Sequence, residues 1–257
     1  MKTIKKYQSG FSIIEIFVVL FVLGLVGFIG YTFMSQNNKQ ISASKPAAQT
    51  KKTDISLQNL GLESIDSVLV DSNALREYDS KGLKGFYVFG DKLGGKSDTR
   101  INPNFEFASL KVGTKVVSAI DGIVAFTKEQ PESGDTEVFI QPKEGSIWTI
   151  GYDHIANVVV KKGDKIKAGD VIGEPAAQGN GALRFEIQIN KDENGTTTHV
   201  CPSSLLDERV KGEVLHELFH MMESWESTTG LELYDTTLQN PIGCLKKTMS
   251  IDEAEGR

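Results

Sequence analysis

Basic residues, cysteines and histidines are all scarce in this sequence, and each shortage narrows what the protein can do. Lysine and arginine number 28 against 34 aspartates and glutamates, giving a formal net charge of −6 and a pI near 5.4. Nucleic acid is therefore not an expected partner, because phosphate binding needs clustered basic side chains. There are two cysteines, Cys201 and Cys244, both in the last quarter of the chain. They allow one disulfide or two free thiols. Only four histidines are available for any metal or acid–base site. Length and composition, 257 residues with 39% hydrophobic and 24% charged, fit one sizeable globular domain or two small ones.

Charge is wholly missing from residues 16–34, a 19-residue apolar stretch close to the ~20 needed to span a bilayer. Lys2, Lys5 and Lys6 precede it and would hold that end in the cytoplasm, leaving the remainder of the chain outside. Glu15 stands at the mouth of the apolar run, where a carboxylate is costly and points to a function. The stretch Gly10-Phe11-Ser12-Ile13-Ile14-Glu15 resembles the type IV prepilins and the pseudopilins of type II secretion. That resemblance implies cleavage by a prepilin peptidase between Gly10 and Phe11 and methylation of Phe11. It also implies pairing of Glu15 with a neighbouring pilin-like subunit. Residues 41–54, with Pro46 among small and polar residues, read as a flexible tether and favour a minor pilin-like protein.

From about residue 58 the pattern becomes one of short apolar runs between turn signals. Strands are expected at 67–70, 85–89, 115–119, 122–126, 137–140, 147–152, 158–160, 183–189 and 197–200. Lys162-Gly163-Asp164 and Ala168-Gly169-Asp170 place glycines where tight bends need positive φ. Together with residues 116–124 they resemble a barrel-sandwich hybrid, shared by lipoyl carriers and by peptidoglycan endopeptidases of the lysostaphin/LytM type. No displayed lysine with carrier-type neighbours is present. The endopeptidase resemblance covers residues 102 to about 206. It rests on Gly113-Thr114-Lys115-Val116, Tyr152-Asp153-His154 and Ala182-Leu183-Arg184-Phe185-Glu186.

In such enzymes two histidines and an aspartate hold zinc, with a fourth position open for water. The matching positions here are Asn102, Glu106 and Arg184, and the catalytic histidine position is Ala182. Arginine is permanently protonated and cannot ligate, and asparagine is a poor ligand. His154 remains and is expected to be packed or hydrogen-bonded. The resemblance thus implies a domain that is not an enzyme and binds no cofactor, with a Glu106–Arg184 ion pair in the metal's place.

A second signature competes with this reading. His216-Glu217-Leu218-Phe219-His220 spells the zincin H-E-x-x-H, in which the histidines bind zinc and the glutamate is the base. On a helical wheel Val210, Val214, Leu215, Leu218, Phe219, Met221, Met222 and Trp225 share one half, and His216 and His220 fall on the other, toward water. A zinc metalloprotease using His216, Glu217 and His220 is the alternative function. Outside the cytoplasm the cysteines are expected to pair, Cys201 with Cys244, two buried free thiols being the other reading.

The fold expected is mainly β. A leader spans 1–10, a transmembrane anchor 11–35 and a linker 36–57. A β-rich endopeptidase-like domain spans 58–206, and an amphipathic helix with a disulfide-closed tail covers 207–257. The chain would be a single-pass membrane protein with its globular part outside the cytoplasm. Its expected role is structural or binding, in a pilus or secretion-like assembly or at the cell wall. The expected partners are the membrane, pilin-like subunits, the prepilin peptidase, and peptidoglycan or another peptide or glycan.

Overall fold

Alternating residues along the longest strands decide the architecture. In the segment 183–193 Phe185, Ile187 and Ile189 are fully buried, while Arg184, Glu186 and Gln188 between them are not. A strand sends successive side chains to opposite faces, so this pattern builds a sheet with one face on the core and one open.

The computed structural model describes residues 55–68, 84–93, 97–178 and 181–257. Residues 1–54, and with them Gly10, Phe11, Glu15, the expected anchor and the tether, lie outside the described residues. Among the described residues no helix is long and apolar enough to cross a membrane.

Eleven strands are present among the described residues. They are β1 (Phe86–Tyr87), β2 (Phe105–Leu110), β3 (Val116–Val117), β4 (Gly122–Gln130), β5 (Asp135–Gln141) and β6 (Trp148–Ala156). Then come β7 (Lys165–Ile166), β8 (Val171–Ala177), β9 (Leu183–Glu193), β10 (Thr196–Val200) and β11 (Thr248–Ser250). All pairings are antiparallel, and the main path runs β1-β2-β9, then through β8 and β6 to β5-β4-β7, with β9 also bonded directly to β6. Two α-helices lie in the C-terminal part, α1 (Lys211–Thr229) before β11 and the short α2 (Ile251–Glu255) after it. The fold is mainly β, as the sequence implied.

Tight turns hold the hairpins together. Gly163 and Gly169 have φ of 90° and 89°, and Asp164 and Asp170 accept hydrogen bonds from the backbones of Lys161 and Lys167. The paired Gly-Asp turns are thus the same device used twice. The core gathers Phe86, Phe105, Phe107, Phe185, Tyr152, Ile150 and Ile140, with Phe86 edge-on to Phe105 at 5.0 Å. Helix α1 buries Leu218, Met221, Met222 and Trp225 against this body. A β-carbon at Gly85 would collide with the Trp225 ring, so the chain needs glycine there. Cys201 and Cys244 form a disulfide with Cα atoms 6.0 Å apart.

Several local expectations differ from the structure. Residues 158–160 form no strand, and Val159 is exposed. Three apolar residues between turns can pack from an irregular loop, as Val158 and Val160 do. Strands β2, β7, β8 and β11 were not foreseen, Gly173 and Pro175 masking the strand pattern of β8. Where 67–70 is described, it is the end of a 3-10 turn (Ile65–Ser67) with a single bridge from Val68. The last residues of the expected tail close a small helix. Ser250 and Glu253 make a reciprocal capping box, Ala254 is buried, and Gly256 packs on Thr99.

Candidate functional site

The open face of the sheet carries a row of acidic side chains that register alone brings together. Glu106 on β2 stands opposite Glu186 on β9, and Glu186 stands opposite Asp153 on β6. Arg184, two residues before Glu186 on the same strand, faces the same way. It places Nη1 3.4 Å from Glu106 and 3.6 Å from Glu186. The Glu106–Arg184 ion pair is therefore present. The other guanidinium nitrogen, Nη2, touches the His154 ring.

His154 ends the row at the neighbouring strand. Its φ of 59° is unusual for a residue with a side chain and turns the imidazole into the cleft. Nδ1 lies 2.6 Å from Asp135, which arrives from the start of β5, and Nε2 lies 3.3 Å from Glu186. Burial alone would lower this imidazole, but Glu186 and Asp135 outweigh it and raise the pKa to about 9. Protonated, both ring nitrogens donate, so the cleft holds two cations, His154 and Arg184. Four carboxylates surround them: Glu106, Asp135, Asp153 and Glu186. Burial and the like charge of Glu186 push Glu106 up to about 7, against the opposing pull of Arg184 and His154. Asp153 is likewise raised, mainly by burial.

Arg184 sits at the divide between two adjoining grooves, each of about 370 Å³. One is lined by Tyr87, Asn102, Asn104, Glu106 and Glu186, the other by Ser133, Asp135, His154 and Gln178. Asn102 is 1% exposed and spends its amide on the Tyr87 and Val88 carbonyls and the Asn104 N–H, which makes it a structural residue. Asn104 donates to Glu186, and its buried Oδ1 has no hydrogen-bond partner among the described residues. Ala182 precedes β9 and its carbonyl accepts from Gln178 N at 2.8 Å.

The residues can be tested against the zinc that the resemblance implies. At the positions the resemblance assigns they do not fit, since Asn102 is consumed by backbone and Arg184 is a cation paired to Glu106. Asp135, Asp153 and His154 offer three ligand atoms within 4.8 Å of one another, a donor set that zinc accepts. With Arg184 in place this set does not fit either. Its guanidinium lies against the same imidazole, and Nδ1 is committed to Asp135.

The second signature lies on helix α1. His216, Glu217 and His220 are exposed, the two rings are 4.2 Å apart, and His220 Nδ1 is 3.4 Å from Glu223. No cleft wall accompanies them among the described residues.

The fold is a mainly antiparallel β-domain with an acidic cleft on its open face, and comparison with known proteins adds to this. Residues 106–196, about a third of the chain, match the profile of Peptidase family M23. Peptidoglycan DD-endopeptidase ShyA of Vibrio cholerae serotype O1 is 31% identical over 65 residues, covering 25% of this chain and 14% of that relative. The chain thus spans only a small part of this relative's length. Among solved structures, lysostaphin aligns at 19% identity over 55% of this chain and 49% of its own, with a TM-score of 0.37. The catalytic domain of the prophage-encoded M23 protein EnpA from Enterococcus faecalis aligns at 22% over 47% and 91%, TM-score 0.36. Csd3 of Helicobacter pylori aligns at 16% over 71% and 45%, TM-score 0.39.

These findings correct the expectation that the domain is not an enzyme. The match to a peptidase family and the endopeptidase relative count against it. That expectation judged the cleft by the positions the resemblance assigned, Asn102, Glu106, Ala182 and Arg184, together with His154. The fold brings Asp135, Asp153, Glu186 and Asn104 into the same cleft, and sequence reading had assigned none of them to it. Glu186 and Asp153 carry a visible signal, each being a charge between buried neighbours on a strand. Asp135 carried none, as it reads only as a turn residue.

Proposed function

We propose that residues 106–196 are a peptidase-class domain acting on the peptide part of peptidoglycan. The observation that carries this reading is the coincidence of the family match with a cleft of six ionisable groups divided by Arg184. Hydrolysis of an amide needs groups that move protons and groups that stabilise the developing oxyanion. Glu106 and Glu186 face each other in one groove and are suited to the first task. Arg184 and His154, the two cations, are suited to the second. Asn104 Oδ1 is an unused acceptor for a peptide N–H along the same groove. Release of soluble fragments from purified peptidoglycan by the full chain, lost in Glu186→Gln, is the supporting result. No release and no retention on peptidoglycan would overturn the reading.

We further propose that the segment outside the described residues is a prepilin-type leader and anchor. It would be cut between Gly10 and Phe11, hold the domain outside the cytoplasm and use Glu15 to select a pilin-like neighbour. Its support is the residue spacing alone. Mass spectrometry of the membrane-extracted protein should show an N-terminus at methylated Phe11. A retained Met1 would refute it.

A further inference from the structure

Beyond the acidic row the same sheet face becomes neutral and flat. Register sets Phe126 on β4 beside Phe139 on β5, Phe139 beside Gly151 on β6, and Gly151 beside Gln188 on β9. Gly151 and Gln188 lie two residues along from Asp153 and Glu186. This row therefore shares the cleft's side of the sheet, about 7 Å further on. Its aromatic end is deliberately exposed. Val124 is buried, and strict alternation would bury Phe126 as well, but a bulge between them turns Phe126 outward to 44% exposure. The Phe126 and Phe139 rings stack at 4.2 Å with 18° between planes. A β-carbon at Gly151 would come within 3.3 Å of Phe139 Cε1, so glycine gives that ring room against the backbone.

The next row adds Gln141, Thr149 and Asn190. Gln141 donates to the Thr149 hydroxyl at 3.1 Å, and Asn190 Nδ2 donates to Gln188 Oε1 at 3.3 Å. None of these seven residues is charged. An exposed stacked ring bordered by amides suits a ligand that is apolar on one side and rich in neutral hydrogen-bonding groups at its rim. A sugar ring has this character, whereas a protein partner would need a surface near 800 Å² per side.

We propose that Phe126 and its amide neighbours form a glycan subsite. In it the Phe126 ring stacks on the apolar face of an N-acetylated hexosamine, and Gln141 and Gln188 meet its acetamido and hydroxyl groups, with Asn190, held by His199 Nδ1, positioning Gln188. The inference rests on the peptidoglycan reading and names where the glycan lies when a peptide occupies the acidic cleft.

Calorimetric titration of the full chain with chitotetraose, the tetramer of N-acetylglucosamine, tests it beside a titration with isolated wall stem peptide. Chitotetraose should bind the natural protein. Phe126→Ala should weaken that binding at least tenfold, Phe126→Tyr should retain it, and Gln188→Ala should weaken it independently. Stem-peptide binding should be unchanged in Phe126→Ala. No chitotetraose binding, or binding untouched by Phe126→Ala and Gln188→Ala, overturns the subsite. Chitotetraose binding without stem-peptide binding leaves the subsite standing and counts against the peptidase reading instead.

Discussion

Two parts of this molecule offer histidines and carboxylates, and they behave in opposite ways. The helix α1 spells a metal-protease signature in five consecutive residues, yet His216, Glu217 and His220 stand in solvent. The cleft spells nothing complete in any one segment, yet it buries His154, Asp135 and Glu106 among mutually interacting charges. Reactivity follows desolvation and enclosure, since a charge in water is screened and one in a walled cleft is not. A motif without an environment is weaker than an environment without a motif.

The largest expected effect concerns what keeps the two regions on one body. The Cys201–Cys244 disulfide closes a 43-residue loop that contains all of α1. On the chain-entropy model its loss costs about 4 kcal/mol. Cys201→Ala/Cys244→Ala should lower the urea midpoint accordingly, with the helix loosening first by hydrogen exchange. An unchanged midpoint would mean that packing by Trp225 and its neighbours suffices.

Next comes the cleft's own cation. Arg184→Ala leaves Glu106 facing Glu186 with only His154, which lies against Glu186, as counter-charge, and should destabilise by roughly 3 kcal/mol. That sits at the low end for a broken buried pair, because the Arg184 side chain keeps 30% exposure. Urea unfolding measures it, and a loss below about 1 kcal/mol would class the pair with ordinary surface bridges.

The pH dependence should divide the regions further. Glu106 has a folded pKa raised from 4.5 to about 7, and His154 one raised from 6.5 to about 9. In both the folded state binds the proton more tightly, so their contribution is complete at low pH. It is lost as pH rises, between about 4.5 and 7 for Glu106 and between about 6.5 and 9 for His154. Melting temperature should therefore fall across that span. Glu106→Gln should flatten the lower part and His154→Gln the upper. A rising profile would refute the charge assignment.

The smallest effect is expected on the helix. His216→Ala and His220→Ala should each change stability by less than about 0.5 kcal/mol, as exposed positions do. Added zinc should leave their melting temperatures and the natural protein's alike. Zinc stabilisation abolished by His216→Ala would restore the helix as a metal site and reverse the comparison.

Much of the fold was legible from local chemistry. The Gly-Asp turns, the alternation of Leu183 through Ile189 and the apolar half of α1 all depend on neighbours in sequence. Strand β8 was not legible, because Gly173 and Pro175 break its pattern and a tertiary role explains them: a side chain at Gly173 would strike Ile155. The C-terminal helix escaped notice because its burial comes from contact with Thr99 and β10, far away in sequence.

The candidate site divides along the same line. The resemblance to the endopeptidases implied that Arg184 and Asn102 stand at zinc-ligand positions and that Glu106 pairs with Arg184. Sequence by itself determined that His216 and His220 would face water, which follows from helical period, a property of a short segment. Only the tertiary structure decided that Asp135 would reach His154, that Asp153 and Glu186 would join the row, and that Phe126 would turn outward at a bulge. Each of these depends on how strands distant in the chain are set in register, and register is fixed by the packing of the whole core.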